Sequence, residues 1–162
     1  DGADSVAISG HKFIGSPIPS GVIITKISNR DRIAKGVSYI GSFDTTITGS
    51  RNGHSPLFLW YALKRMGVEG LKQRFQSSLE VAAYCEKRLN EIGIPAWRNP
   101  NAITIVFPKV HDSIISKWQL ATQETISHII CMPNVTKEQI DNLILDIQNC
   151  EEVVENEYEF SF

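Results

Sequence analysis

The sequence predicts an α/β protein, and three observations carry the prediction. From Leu71 onward the hydrophobic periodicity alternates helix, strand, helix, strand, helix, which reads as a small α/β layer on an antiparallel sheet. Near the start, two short apolar runs, Asp4 to Ser9 and Gly21 to Lys26, flank a stretch rich in Gly, Ser and Pro and read as strands. Between these regions, Gly67 to Gly70 interrupts a helical pattern, so the part before Gly67 reads as the end of something else. With 162 residues, 42% of them hydrophobic and 21% charged, the chain can build one ordinary domain or two small lobes and is not disordered by composition.

After the two strands, Asn29 to Lys35 is polar and mixed, and Tyr39 to Asn52, rich in Gly, Ser and Thr, reads as an extended loop. Pro56 suits the first turn of a helix capped by Ser55, with Leu57, Leu59, Trp60, Leu63 and Met66 on its apolar face. A long amphipathic helix is expected from Leu71 to Ile92, burying Phe75, Leu79, Ala82, Ala83, Leu89 and Ile92 and ended by Gly93. Ile94 to Asn101 is a turn region. Ala102 to Phe107 is a strand stopped by Pro108, His111 to Leu120 a short helix, and Thr125 to Cys131 a strand. Thr136 caps the last helix, with Glu138 one residue short of an ideal capping box, and Ile140, Leu143, Ile144 and Ile147 face inward. The acidic tail from Glu151 is expected to fray.

Several function classes recede at this level. A net charge of −2 argues against a nucleic-acid partner. No apolar run approaches membrane-spanning length. Cys85, Cys131 and Cys150 are odd in number, widely spaced and without a C-x-x-C pair, so no metal site is expected and three free thiols in a reducing cytosol is the simplest reading. The chain opens on Asp1-Gly2-Ala3-Asp4-Ser5-Val6, with no initiator Met or leader, and reads as the continuation of a longer chain.

Chemistry is announced at Ser9-Gly10-His11-Lys12, between an apolar run and the turn-forming Phe13-Ile14-Gly15-Ser16-Pro17-Ile18-Pro19-Ser20-Gly21. A lysine in that setting, beside a hydroxyl, an imidazole and a glycine, is a plausible amine for a Schiff base with an aldehyde cofactor. On residue types alone, an ordinary surface lysine at a strand end is the competing reading.

The segment from Ser9 to Gly21 resembles the cofactor-lysine segment of the group II pyridoxal-phosphate (PLP) decarboxylases, closest to the branch of bacterial histidine decarboxylases and plant serine decarboxylases. Two further blocks agree and follow in family order. One is Thr48-Gly49-Ser50-Arg51-Asn52-Gly53-His54-Ser55-Pro56-Leu57-Phe58-Leu59-Trp60. The other is Trp118-Gln119-Leu120-Ala121-Thr122, with Ser127-His128 and Met132-Pro133-Asn134-Val135-Thr136 beyond it.

The resemblance implies a fold-type I PLP-dependent transferase-like architecture. Residues 1–70 would be the C-terminal part of the PLP-binding large domain, with cofactor lysine, interface loop and helix; residues 71–162 would be the C-terminal small α/β domain with its acidic tail. It implies Lys12 as the Schiff-base (internal aldimine) lysine, and Ser9 and His11 near the cofactor phosphate. A turn hydroxyl and a core histidine are the structural alternatives for those two. Ser50 would donate to the phosphate in a neighbouring subunit, whereas Arg51 would pin its loop by pairing with a carboxylate. His54 reads as a capping or packing residue, His128 as a core histidine, and His111 as a helix start without a functional signal. Trp60, Trp97 and Trp118 read as core or interface residues.

The activity implied is decarboxylation of an L-amino acid in a cytoplasmic homodimer, histidine to histamine and CO2 leading and serine to ethanolamine second. The family's pyridine-nitrogen aspartate, ring-stacking histidine and phosphate loop precede the lysine, and Asp1 and Asp4 do not stand where that aspartate belongs. The chain is therefore expected to work with an N-terminal partner segment; the alternative is an isolated fragment, which should not hold the cofactor well. A catalytically silent scaffold or interaction module is the non-enzyme alternative.

Overall fold

The structure, a computed structural model, describes residues 2–39, 41–45 and 50–159, with side chains described as far as residue 150. The chain divides into two units, Asp1–Val68 and Glu69–Phe162.

In the first unit, β1 (Ser5–Ser9) and β2 (Gly21–Thr25) pair antiparallel, in a register from Ser5 opposite Thr25 to Ser9 opposite Gly21. The polar stretch after β2 forms a short helix, α1 (Ile27–Ile33), and then β3 (Lys35–Val37), which pairs antiparallel with β4 (Ser42–Asp44). Neither α1 nor β4 was expected. No residue of α1 is buried, and Ile27 and Ile33 lie exposed, so it carries no apolar stripe to betray it. Part of the expected loop over 39–52 lies outside the described residues.

The helix α2 is assigned from His54 to Glu91. Its start corrects the expected cap: Asn52, not Ser55, supplies the acceptor, its Oδ1 taking the Ser55 backbone N–H at 2.9 Å. The expected break over 67–70 narrows to one residue. Gly67 has φ 61° and ψ −173°, a region that only glycine occupies without strain, and helical backbone resumes at once.

The second unit is built on a three-stranded antiparallel sheet in the order β5 (Thr104–Pro108), β7 (Ile126–Ile130), β6 (Ala121–Gln123). The strand β6 was not expected: all three of its residues are exposed, so no buried alternation marks it. In β5 the alternation is clear, with Ile105 and Phe107 buried and Thr104 and Val106 less so.

Against these two residues lie Ala82, Cys85 and Leu89 from α2, Ile114 from α3 (Asp112–Trp118), and Ile140, Leu143, Ile144 and Ile147 from α4 (Lys137–Glu159). The last four recur at i, i+3, i+4 and i+7, one face of a helix, as the sequence pattern required. Each such side chain contributes about 1.5–3 kcal/mol through removal from water. The stripe on α2 differs from expectation, because Phe75 is 39% exposed and Ala83 is exposed, while Ser78 and Cys85 are buried.

The start of α4 is a true capping box, with Thr136 and Gln139 as the reciprocal pair: Gln139 N–H donates to Thr136 Oγ1 at 3.2 Å and Thr136 N–H to Gln139 Oε1 at 2.9 Å. Gln139 therefore replaces the expected Glu138. The helix is assigned to Glu159; the fraying expected from Glu151 falls on residues whose side chains lie outside the described set. Trp60 and Trp97 are more than half exposed and so are not core residues of their units, whereas Trp118 is half-buried. Among the described residues no helix is long and apolar enough to cross a membrane, and no group of three or more His, Cys, Asp or Glu is placed to hold a metal ion.

Candidate active site

The end of β1 and its connection to β2 carry three of the four candidate residues. Ser9 is the half-buried last residue of β1, opposite Gly21. One residue further the ladder makes only half of its next rung: Gly10 N–H donates to Ser20 O at 2.9 Å, but Gly10 O accepts from Ser16 N–H at 2.9 Å instead of from Ser20. The loop is folded back on itself by two more bonds, Lys12 N–H to Ser9 O at 3.2 Å and Ser16 Oγ to Ile18 O at 3.0 Å. Buried Ser16 anchors it, and His11 and Lys12 project from it exposed. The His11 ring is tied across the loop, with Nδ1 at 3.2 Å from Ser20 N and 3.1 Å from Ser20 O.

A side chain at position 10 would crowd two neighbouring side chains. A Cβ there would lie 2.5 Å from Ser20 Oγ and 2.6 Å from Leu59 Cδ2, so those two side chains would have to shift to admit it. The lysine-bearing loop thus lies close against Leu59 of α2, a contact that a larger residue at position 10 would disturb.

Ser50 precedes α2 in the same unit. With Arg51 it lines a groove of about 1100 Å³ whose walls include Ile8, Ser20, Leu59 and Trp60. Ser9, His11 and Lys12 are not among the described residues lining that groove, but Ile8, Ile14 and Ser20 of the same segment are, so Ser50 lines a groove walled in part by the lysine-bearing hairpin. His54 begins α2 exposed, its ring stacked over Phe58 with centroids 6.4 Å apart.

In the second unit His128 is half-buried in β7, opposite Val106 and Ala121, and lines a separate cavity of about 340 Å³ with Trp118 and Leu120. His111 caps α3, Nδ1 accepting from Ser113 N–H at 3.2 Å, a role missed because histidine is seldom a cap. Ser20 was missed as well: nothing in its residue type shows that its backbone would meet an imidazole nine positions away.

An exposed primary amine on a braced loop, next to an imidazole with one ring nitrogen left over and a hydroxyl at the strand end, is a donor set that suits an aldehyde bearing a phosphate. No family model matches the chain. In fold the chain matches L-methionine decarboxylase of Streptomyces sp. 590, with a TM-score of 0.74 and 35% identity over 88% of this chain and 31% of that one. It also matches the glutamate decarboxylase of Lactobacillus brevis, with a TM-score of 0.73 at 19% identity, a likeness of fold alone. The fold is thus that of a portion of the fold-type I PLP-dependent decarboxylases.

In sequence, it is 51% identical over 149 residues to a histidine decarboxylase of Mesorhizobium japonicum, covering 92% of this chain and 40% of the relative. It is 49% identical over 144 residues to serine decarboxylase 3 of Oryza sativa subsp. japonica, covering 88% of this chain and 32% of the relative. The chain belongs to the group II PLP-dependent decarboxylases, in the histidine and serine decarboxylase branch, a family that uses PLP. It spans about 40% or less of the length of these curated relatives.

Proposed function

We propose that this chain supplies the lysine-bearing part of a PLP-dependent amino-acid decarboxylase that converts L-histidine to histamine and CO2. The observation that carries the proposal is the exposed amine of Lys12 on a loop whose turns are fixed by Ser9, Gly10, Ser16 and Ser20. Histidine leads as substrate because a histidine decarboxylase is the relative at 51% identity; the serine decarboxylase at 49% keeps L-serine, giving ethanolamine, as the second reading.

Bound PLP supplies an aldehyde carbon for an amine and a ring that accepts the electron pair freed when a carboxylate leaves. On the protein side, Lys12 is the residue that holds the aldehyde, and it does so from an exposed position where a substrate amine can compete with it. His11 and Ser9 are the donors offered to the phosphate, an imidazole N–H and a hydroxyl. Ser50 is offered to a phosphate in the neighbouring subunit of a homodimer, the role that the family resemblance gives it. Residues 1–70 then belong to a cofactor-binding large domain and 71–162 to a small C-terminal domain. The working enzyme is a cytoplasmic protein that includes an N-terminal remainder.

The test is reduction with borohydride of the full-length enzyme carrying this chain, followed by peptide mapping and a visible spectrum. A pyridoxyl label on Lys12 is expected. A spectrum without imine absorbance and a map without label would sink the enzyme reading and leave a scaffold. Amine release from histidine and from serine, compared at equal concentration, separates the two substrates.

A further inference from the structure

We infer that Ser20 is a positioning residue that fixes the His11 imidazole in the tautomer with its hydrogen on Nε2, so that the ring presents a donor outward. The inference rests on the PLP reading for what that donor faces; the tautomer itself rests on the hydrogen-bond pattern of the loop.

Beyond the pair Ser9–Gly21 an ideal antiparallel ladder would place Gly10 and Ser20 as a hydrogen-bonded pair exchanging two N–H···O bonds. One is present, Gly10 N–H to Ser20 O at 2.9 Å. The other is absent because Gly10 O is taken by Ser16 N–H at 2.9 Å, as the loop turns back. Ser20 N–H is left without a carbonyl, and among the described residues the acceptor it meets is His11 Nδ1 at 3.2 Å.

The same nitrogen lies 3.1 Å from Ser20 O, so either assignment satisfies distance. The two assignments differ in what they leave over. If Nδ1 carried the hydrogen, Ser20 O would accept twice, from Gly10 and from the ring, and Ser20 N–H would face a second N–H. If Nδ1 is the acceptor, every group has one partner: Gly10 N–H on Ser20 O, Ser16 N–H on Gly10 O and Ser20 N–H on Nδ1. A neutral imidazole that accepts at Nδ1 carries its hydrogen at Nε2.

A hydrogen at Nε2 is what an anionic phosphate oxygen needs, whereas a bare Nε2 would present a lone pair to it and repel it. A side chain at position 10 would crowd Ser20 Oγ beside this half-rung, though that oxygen can rotate away. The effect assigned to Ser20 here is exerted by its backbone through the His11 ring.

The experiment is nitrogen-15 NMR of the histidine rings in the cofactor-free full-length enzyme, with His11 assigned by its loss in His11→Asn. A neutral ring with Nε2 protonated and Nδ1 unprotonated is expected in the wild type. Ser20→Ala, which keeps the backbone N–H, is expected to leave it unchanged. A ring protonated at Nδ1, or an even mixture of the two forms, would overturn the inference even if borohydride labels Lys12. The Nε2–H form in an enzyme that takes no label overturns the PLP reading instead and supports the hold of Ser20 on the ring. The two failures are therefore distinguishable.

Discussion

The Tyr84 hydroxyl on α2 donates to Asp141 Oδ1 on α4 at 2.6 Å, joining two helices whose apolar faces share the core of the second unit. Arg88, one turn along α2, donates to the Tyr84 oxygen at 2.8 Å and pairs with the same carboxylate. The Tyr84 ring is also flanked by two cations, with Arg88 5.7 Å and Lys137 5.3 Å from its centroid. Tyr84→Phe keeps the ring and its cation contacts and removes only the hydroxyl. The expected loss is about 1 kcal/mol, the usual net worth of one part-buried hydrogen bond. It is to be read as a lower urea midpoint at unchanged slope. An unchanged midpoint would mean that Arg88 alone holds Asp141.

Asp146 on α4 accepts from Lys117 Nζ at 2.8 Å and from the Trp118 indole N–H at 2.7 Å, both on α3. The hydrogen bond from Lys117 first, and that from Trp118 behind it, hold the carboxyl below its ordinary 3.8, against an opposing push from desolvation. The folded state therefore binds this proton less readily than the unfolded state does. The stabilisation is complete above pH 3.8, declines as pH falls below it, and is gone once the pH has passed through the folded value. Asp112, lowered by Lys109, acts in the same direction. Acid unfolding followed by tryptophan fluorescence is expected to be shallower in Asp146→Asn than in the wild type. Superimposable acid limbs would remove Asp146 from the account.

Thr136→Ala is expected to cost about 1 kcal/mol by removing the acceptor of the Gln139 N–H. Gln139→Ala frees the Thr136 N–H and is expected to cost less, because that amide is exposed to water. A thermal melt of each variant gives the order, and the reverse order would mean that the box is held from the glutamine side.

How far the sequence could be read follows from where the information lies. The face of α4 was legible because four isoleucine and leucine side chains repeat at helical spacing, and burial makes that pattern obligatory. The capping box was placed one residue off, because Glu138 and Gln139 both satisfy the residue preference and only geometry chooses between them. The helix α1 and the strand β6 bury nothing, so they leave no hydrophobic period. At the candidate site, residue types alone left Lys12 open to reading as an ordinary surface lysine, and it was the resemblance of three sequence blocks that singled out Ser9, His11 and Lys12. The half-rung between Gly10 and Ser20 was not legible, since it depends on Ser16 competing for a carbonyl, a fact of three-dimensional folding with no residue signature.

Lys12→Arg separates charge from covalent chemistry. The exposed position tolerates the change within about 0.5 kcal/mol, so folding is expected to be unaffected. The guanidinium keeps the positive charge but stays protonated and cannot offer a free amine. Borohydride incorporation into the full-length variant is expected to vanish while its melting temperature stays put. A labelled variant would move the covalent role to another lysine.

The close approach of Gly10 to Leu59 can be measured directly. In Gly10→Ala the new methyl carbon would meet Leu59 Cδ2 at 2.6 Å and Ser20 Oγ at 2.5 Å. Overpacking of this kind costs about 1–3 kcal/mol. The low end is expected here, because both neighbours are side-chain atoms that can rotate away. Leu59→Ala removes one of the two obstacles, so Gly10→Ala is expected to cost less in that background than in the wild type. The difference, a coupling of at least about 0.5 kcal/mol, is read from a double-mutant cycle of thermal melts. The double variant is also expected to recover part of any loss in the rate of borohydride labelling at Lys12, since that loss would come from the loop being pushed off α2. If Gly10→Ala costs the same in both backgrounds, Leu59 does not seat the loop, and Ser20 alone makes the contact that excludes a side chain at position 10.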